Sequence, residues 1–154
     1  MTDAGFATPT LTFTLAQYER LVGHCLEGFP EEGCGLIAGT ADADMEPTGF
    51  VGAVYPTRNA DASSRTYTVD SRDLLWAMRD AEAHSIELVG VFHSHTHTDA
   101  FPSATDIRQA FEPHWIYVLV SLKAAEPVLR AYRVRDGQVA EIPVVIDDRP
   151  VGPS

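Results

Sequence analysis

An apolar segment of strand length, Glu87-Leu-Val-Gly-Val-Phe92, runs without interruption into His93-Ser-His-Thr-His-Thr-Asp-Ala-Phe-Pro-Ser-Ala-Thr-Asp106. This stretch constrains the rest of the chain more than any other. Strand side chains alternate between faces, so His93 and His95 point the same way. Ser103-Ala-Thr-Asp106, with Pro102 before it, has the S-x-x-D form of a helix N-terminus. A strand, a ligand-rich loop and the start of a helix therefore follow one another in fixed order, and the fold has to close around them.

The residue types in that order are those of a metal site. An H-x-H pair at a strand end can grip one metal ion with two imidazoles. Asp106, in the first turn of the next helix, can turn back to the same point. Two histidines, one carboxylate and a water make the open four-coordinate zinc site of hydrolases. Ser103 can cap its helix by accepting a backbone N–H, and its hydroxyl can also donate to the oxyanion of a tetrahedral intermediate. The attacking water still needs a proton acceptor. Glu31 and Glu32, just before the apolar Cys34-Gly35-Leu36, are the natural candidates, although a glutamate pair before a strand is also an ordinary solvated turn.

Other metal readings fail on specifics. H-x-E followed by P-C-x-x-C, the zinc-deaminase signature, is absent. So is H-E-x-x-H. His95-x-His97-x-Asp99 begins a metallo-β-lactamase-like run, but position 100 is Ala where that run requires a histidine. The glutamate and glycine of a cupin do not follow the H-x-H.

The remaining pattern predicts mixed α/β structure with one sheet. Leu11-Thr-Phe13 reads as a short strand. Thr14 can cap a helix with Leu15, Tyr18, Leu21, Val22, Cys25 and Leu26 at helical spacing, ended by Gly28 and Pro30. Cys34 to Ala38 and Phe50 to Tyr55 read as partner strands around an acidic loop over 40–48. Thr66 to Val69 has the composition of another short strand. Asp70 or Ser71 caps a second helix with Leu74, Leu75, Met78 and Ala81 on one face. Trp115 to Ser121 is a strongly apolar, central strand. Val128 to Val134 and Val139 to Val145 flank Asp136-Gly137, a hairpin signal. The boundaries are a loose tail over 1–12, one domain over 13–146 and a second tail over 147–154.

The net charge of −11 argues against a nucleic-acid partner. No apolar run approaches the length of a membrane span. The N-terminus lacks a basic n-region, which makes the cytoplasm the expected compartment. Cys25 and Cys34 are expected as buried thiols, a bridge between them staying open. Trp76 and Trp115 are expected in the core. His24, His84 and His114 are expected at the surface or at helix ends, and His97 as an exposed loop residue. Asn59 fits either turn chemistry or a role in shaping a groove.

The spacing His93-x-His95, seven residues, Ser103-x-x-Asp106 resembles the JAMM (MPN-plus) metalloprotease motif in full. In that family the upstream acid lies in a P-x-E-x-C-G context, and Pro30-Glu31-Glu32-Gly33-Cys34-Gly35 places it at Glu32. The resemblance extends over about residues 13–146 and is strongest to small bacterial Mec-type hydrolases. Softer similarities lie at Thr57 to Asp61, Thr66 to Asp70 and Leu129 to Gly137. It implies a single curved mixed β-sheet flanked by helices, an MPN/JAB-like (cytidine-deaminase-like) architecture. It implies one zinc ion held by His93, His95 and Asp106, with Glu32 passing a proton from water to the leaving amine and Ser103 steadying the oxyanion. The implied substrate is a ubiquitin-like sulfur carrier protein, cut after its C-terminal Gly-Gly to release cysteine or a short extension. A deconjugase of ubiquitin-like modifiers shares the chemistry. A non-catalytic MPN scaffold is the reading from another class, and such scaffolds lose the ligands this chain keeps. The oligomeric state is not fixed by the sequence, a homodimer being one option.

Overall fold

A computed structural model describes residues 9–149, so most of the two expected tails, residues 1–8 and 150–154, lies outside the described residues. The elements in chain order are β1 (Leu11–Thr14), α1 (Leu15–Gly28), β2 (Cys34–Ala41), β3 (Pro47–Thr57), α2 (Ser71–Ala83), β4 (Glu87–His95), α3 (Ala104–Arg108), β5 (Ile116–Ser121), β6 (Val128–Arg135), β7 (Gln138–Ile142) and β8 (Val144–Asp147). Leu11 and Thr12, assigned to the tail by the sequence boundaries, belong to β1.

The strands form one eight-stranded mixed sheet in the order β7-β6-β5-β4-β2-β3-β1-β8. Its edge strands β7 and β8 are consecutive in the chain, with only Pro143 between them. Two neighbours in sequence can sit at opposite edges only if the sheet curves until those edges meet. Pro143 has no N–H to continue a ladder, and its carbonyl accepts from Leu11 N at 2.9 Å, joining the far edge. The single strand expected over Val139 to Val145 is therefore two strands serving both ends of a nearly closed sheet.

The inner strands are covered on both faces, and each face has its own core. Ile37, Phe92 and Val118 pack with Leu21, Val22 and Cys25 of α1. Their immediate neighbours Leu36, Val91 and Tyr117 pack with Ala77 and Ala81 of α2. This is the period of two read along β2, β4 and β5. The helix starts follow from local chemistry. Thr14 and Gln17 form a reciprocal capping box at 3.1 and 2.9 Å. Asp70 Oδ1 accepts from Arg72 N and Asp73 N at 2.9 and 3.2 Å.

Two expectations change. Thr66 to Val69 makes one isolated bridge, Asn59 to Val69, in place of a strand. Backbone bonds Ala60 N to Thr68 O and Asp70 N to Arg58 O make that bridge, and the Asn59 side chain takes up the rest, donating to Thr66 O and accepting from Thr68 N, both at 3.0 Å. Trp76 is 61% exposed and only edges on Tyr55, because α2 meets the sheet through the small Ala77 and Ala81. Trp115 packs partly buried against the second core, as expected.

Strand spacing around β2 also explains one glycine. A methyl group on Gly35 would lie 2.3 Å from Phe92 Cε2 and 2.4 Å from the Tyr55 carbonyl oxygen. Gly35→Ala should cost about 1–3 kcal/mol and lower the melting temperature by about 5 °C in a chain this size. An unchanged calorimetric midpoint would show that the β2–β4 packing relaxes freely.

Candidate metal centre

The site starts from the strand register. β4 pairs in parallel with β5 and antiparallel with β2, with Cys34 opposite His93. Ladder partners share a face, so His93 joins Val91 and Leu36 on the side covered by α2. Two residues further out, Glu32 comes level with His95. The pairing continues past the end of β2 through Ser94, whose N donates to Gly33 O at 2.9 Å and whose Oγ accepts from Gly33 N at 2.8 Å.

α3 supplies the third group. Ser103 Oγ accepts from Asp106 N at 3.0 Å, and Asp106 Oδ2 accepts from Ser103 N at 2.9 Å. This capping box holds the carboxylate at the helix start, where Oδ2 lies 3.0 Å from His95 Nε2 and 3.2 Å from His93 Nε2. The ligand atoms of His93, His95 and Asp106 lie within 4.8 Å of one another, and these three could hold a metal ion.

The surroundings suit that use. His93 and His95 are 2% and 5% exposed. His93 Nε2 is buried and lacks a partner in hydrogen-bonding geometry although it faces Asp106, which leaves a lone pair available to a cation. Burial pushes the His93 imidazole below its ordinary range, toward the neutral form a metal requires. Burial acts to raise the Asp106 carboxyl, but the adjoining His93 and His95 imidazoles and the Ser103 N–H outweigh it and hold the group far below the usual carboxylate range. His95 Nδ1 donates to the Asp99 carbonyl at 2.8 Å, which fixes the ring and aims Nε2 at the site.

Glu32 and Glu31 separate by environment. Glu31 is exposed, whereas Glu32 is 6% exposed. Burial pushes the Glu32 carboxyl up to about 7, with Asp106 and Asp61 adding to the rise and His95 opposing it. Glu32, His95 and Ser103 line a cleft of about 490 Å³ with Ser64, Arg65, Thr96, His97 and Thr98. The Ser103 hydroxyl is exposed there, and its acceptor role toward Asp106 N leaves its proton free to donate.

Other residues singled out by the sequence fall outside the metal group. The His97 side chain is exposed and bonds Thr96 Oγ1 at 2.8 Å. The Asp99 carboxylate turns away to Lys123 at 2.5 Å, so the metallo-β-lactamase-like run does not converge. Cys25 and Cys34 are free and buried. His84 caps α2, while His24 is half-buried and His114 bonds Glu46. Tyr67 was not singled out, yet it stacks on His93 with ring centroids 4.2 Å apart and planes 20° apart. Its position in an irregular segment offers no periodic signal. Asn59 Nδ2 reaches both Glu32 O and Thr66 O at 3.0 Å, binding the Tyr67 segment to the Glu32 backbone.

Two imidazoles from the inner strand β4 and a carboxylate from α3, reached from a cleft through His95 and set beside a buried acid, define a candidate metal centre of hydrolytic type. Residues 14–135 match the prokaryotic homologs of the JAB domain, and the chain belongs to that family. It is 39% identical over 125 residues to a CysO-cysteine peptidase of Mycobacterium tuberculosis, covering 80% of this chain and 82% of that one. It is 32% identical over 108 residues to a desampylase of Haloferax volcanii, covering 67% and 74%. Among solved structures, a protein from Desulfitobacterium hafniense superposes with a TM-score of 0.80 at 33% identity, covering 91% of this chain and 94% of that one. Among the described residues no helix is long and apolar enough to cross a membrane.

Proposed function

We propose that the chain is a zinc-dependent peptidase that hydrolyses the amide bond after the C-terminal Gly-Gly of a ubiquitin-like sulfur carrier protein, releasing cysteine or a short extension. The observation that carries this reading is the register that sets buried Glu32 level with His95, beside a group of two imidazoles and a carboxylate. Similarity to a CysO-cysteine peptidase supports the substrate class. The donor set suits zinc, with two imidazole nitrogens and one carboxylate oxygen leaving a coordination position open. When bound, zinc acts as a Lewis acid toward the scissile carbonyl and toward water.

The chain's own residues divide the remaining work. His93, His95 and Asp106 hold the ion. Asp99 O and Tyr67 orient the two rings. Glu32 accepts a proton from the attacking water and delivers it to the leaving amine. Its burial raises its basicity to match that exchange near neutral pH. Ser103 donates its hydroxyl proton to the oxyanion while its oxygen remains bonded to Asp106 N. The two free thiols agree with a reducing cytoplasm as the working compartment.

A second reading, deconjugation of ubiquitin-like modifiers from lysine, is favoured by the likeness to a desampylase. The chemistry is identical and only the leaving amine differs. To test both, zinc-loaded protein is incubated with a carrier ending Gly-Gly-Cys and with a carrier isopeptide-linked to lysine, and products are read by mass spectrometry. The expected result is loss of one cysteine from the first substrate, abolished by a chelator and restored by zinc. Cleavage of the lysine conjugate alone would favour the second reading. Turnover of neither, with zinc bound, would overturn both.

A further inference from the structure

The cleft beside the metal group is lined by one buried acid, Glu32. Asp106 and Asp61 both add to the rise of its carboxyl, in a chain of net charge −11. Among the residues that line the cleft, Arg65 is the permanently cationic one. Among the described residues its guanidinium has no carboxylate partner, and only its backbone N is engaged, donating to Ser63 Oγ at 3.0 Å. Arg58 and Arg130, also exposed, are instead held by Asp73 and Glu141.

The segment carrying Arg65 is tied to both strands of the site. Ser63 O accepts from Glu32 N at 2.7 Å. Ser64 O accepts from Thr96 Oγ1, just past His95, at 3.3 Å. Thr66 O accepts from Asn59 Nδ2, which also holds Glu32 O. Arg65 thus projects from a backbone anchored on either side of it, next to the group that handles the leaving amine.

Resting on the peptidase reading above, we infer that Arg65 is the specificity residue that binds the α-carboxylate of the released C-terminal amino acid. In the hydrolysis the amide C–N bond breaks, the water oxygen stays on the glycine carboxyl, and the proton goes to the amine of the released residue. That amine is only two bonds from the carboxylate carbon of a free C-terminal amino acid. If Glu32 reaches the amine, the carboxylate must lie beside Glu32 and meet its repulsion, to which Asp61 adds. A guanidinium on the adjoining segment offsets that repulsion and offers paired N–H donors of matching geometry. A lysine-linked conjugate has no carboxylate at that distance from its leaving ε-amine. Arg65 therefore selects for a free C-terminus against an isopeptide.

The test uses the zinc-loaded full chain and two carriers ending Gly-Gly-Cys, one as the free acid and one as the C-terminal amide. Wild type should cleave the acid with kcat/KM about tenfold above the amide. Arg65→Gln should lose that preference through KM on the acid, with the amide unchanged, and Arg65→Lys should keep part of it. Equal cleavage of acid and amide by wild type overturns the assignment. So does an Arg65→Gln variant that slows both by the same factor, the outcome expected of a residue that only shapes the loop. Wild type inert on both carriers with zinc bound overturns the peptidase reading itself.

Discussion

Glu32→Gln is expected to leave the protein folded and metal-loaded while carrier hydrolysis slows by about 10²–10⁴-fold in kcat. The substitution keeps the shape of the side chain and removes its ability to take a proton. His93, His95 and Asp106 are untouched, so bound zinc measured by elemental analysis should remain at one per chain. The pH profile follows from the environment of the acid. Burial pushes Glu32 up from its ordinary 4.5 to about 7, and it works as a base only when ionised. Wild-type kcat/KM should therefore fall as pH drops through that value, and a cation held beside it moves this limb to lower pH. The same shift has a cost in stability. A carboxyl whose folded pKa lies above its unfolded one binds its proton more tightly when folded, so ionising it weakens the fold as pH rises from about 4.5 to about 7. With metal removed, Glu32→Gln should melt higher than wild type at pH 8 and alike at pH 4. Full activity of the variant would remove Glu32 from the proposed mechanism. Loss of zinc along with activity would recast it as a support for the ligands.

Much of the fold was legible because its rules are local. His93 and His95 share a face because β4 is regular, and period two is enough to say so. Asp106 returns to them because S-x-x-D is a capping box, a device that spans one helical turn. The choice of Glu32 over Glu31 was different in kind. Spacing left both open, and the resemblance selected Glu32. What distinguishes them physically is the pairing of Cys34 with His93, a contact between distant segments that buries one acid and exposes the other. Tyr67 and Ser94 carry no local signal for the same reason, since their partners lie across the fold. Trp76 lies outside the core because α2 is seated by two alanines, and a large ring by itself carries no signal of which helix face is covered. Thr66 to Val69 stops at one bridge because strand-like composition says nothing of the Asn59 side chain that occupies Thr66 O and Thr68 N.

Glu46→Gln should be the most destabilising single change outside the site, costing about 3 kcal/mol or more and about 10 °C in melting temperature. The residue sits between β2 and β3 in what the sequence presents as an acidic surface loop. In the fold its carboxylate is the counter-charge of a cluster from the far end of the chain. Arg133 Nη1 bonds Oε1, Arg135 Nη2 reaches the same oxygen at 2.5 Å, and His114 Nδ1 meets Oε2 at 2.9 Å. Arg133 is 1% exposed, and its Nε and Nη2 have no partner, so its charge leans on Glu46. Burial acts to raise the Glu46 carboxyl, but Arg133, His114 and Arg135 together hold it at about 2. A depressed folded pKa gives stability that is complete above the unfolded value of 4.5 and is lost as pH falls toward about 2. The gap between wild type and Glu46→Gln should therefore be widest near neutral pH and close across that acidic window. Replacing both charges, as Glu46→Leu with Arg133→Met, should recover most of the loss, because the penalty comes from stranding a buried guanidinium and not from losing an attraction. If the double variant melts as low as the sum of its singles, Arg133 does not depend on Glu46 and the loop is held by something else.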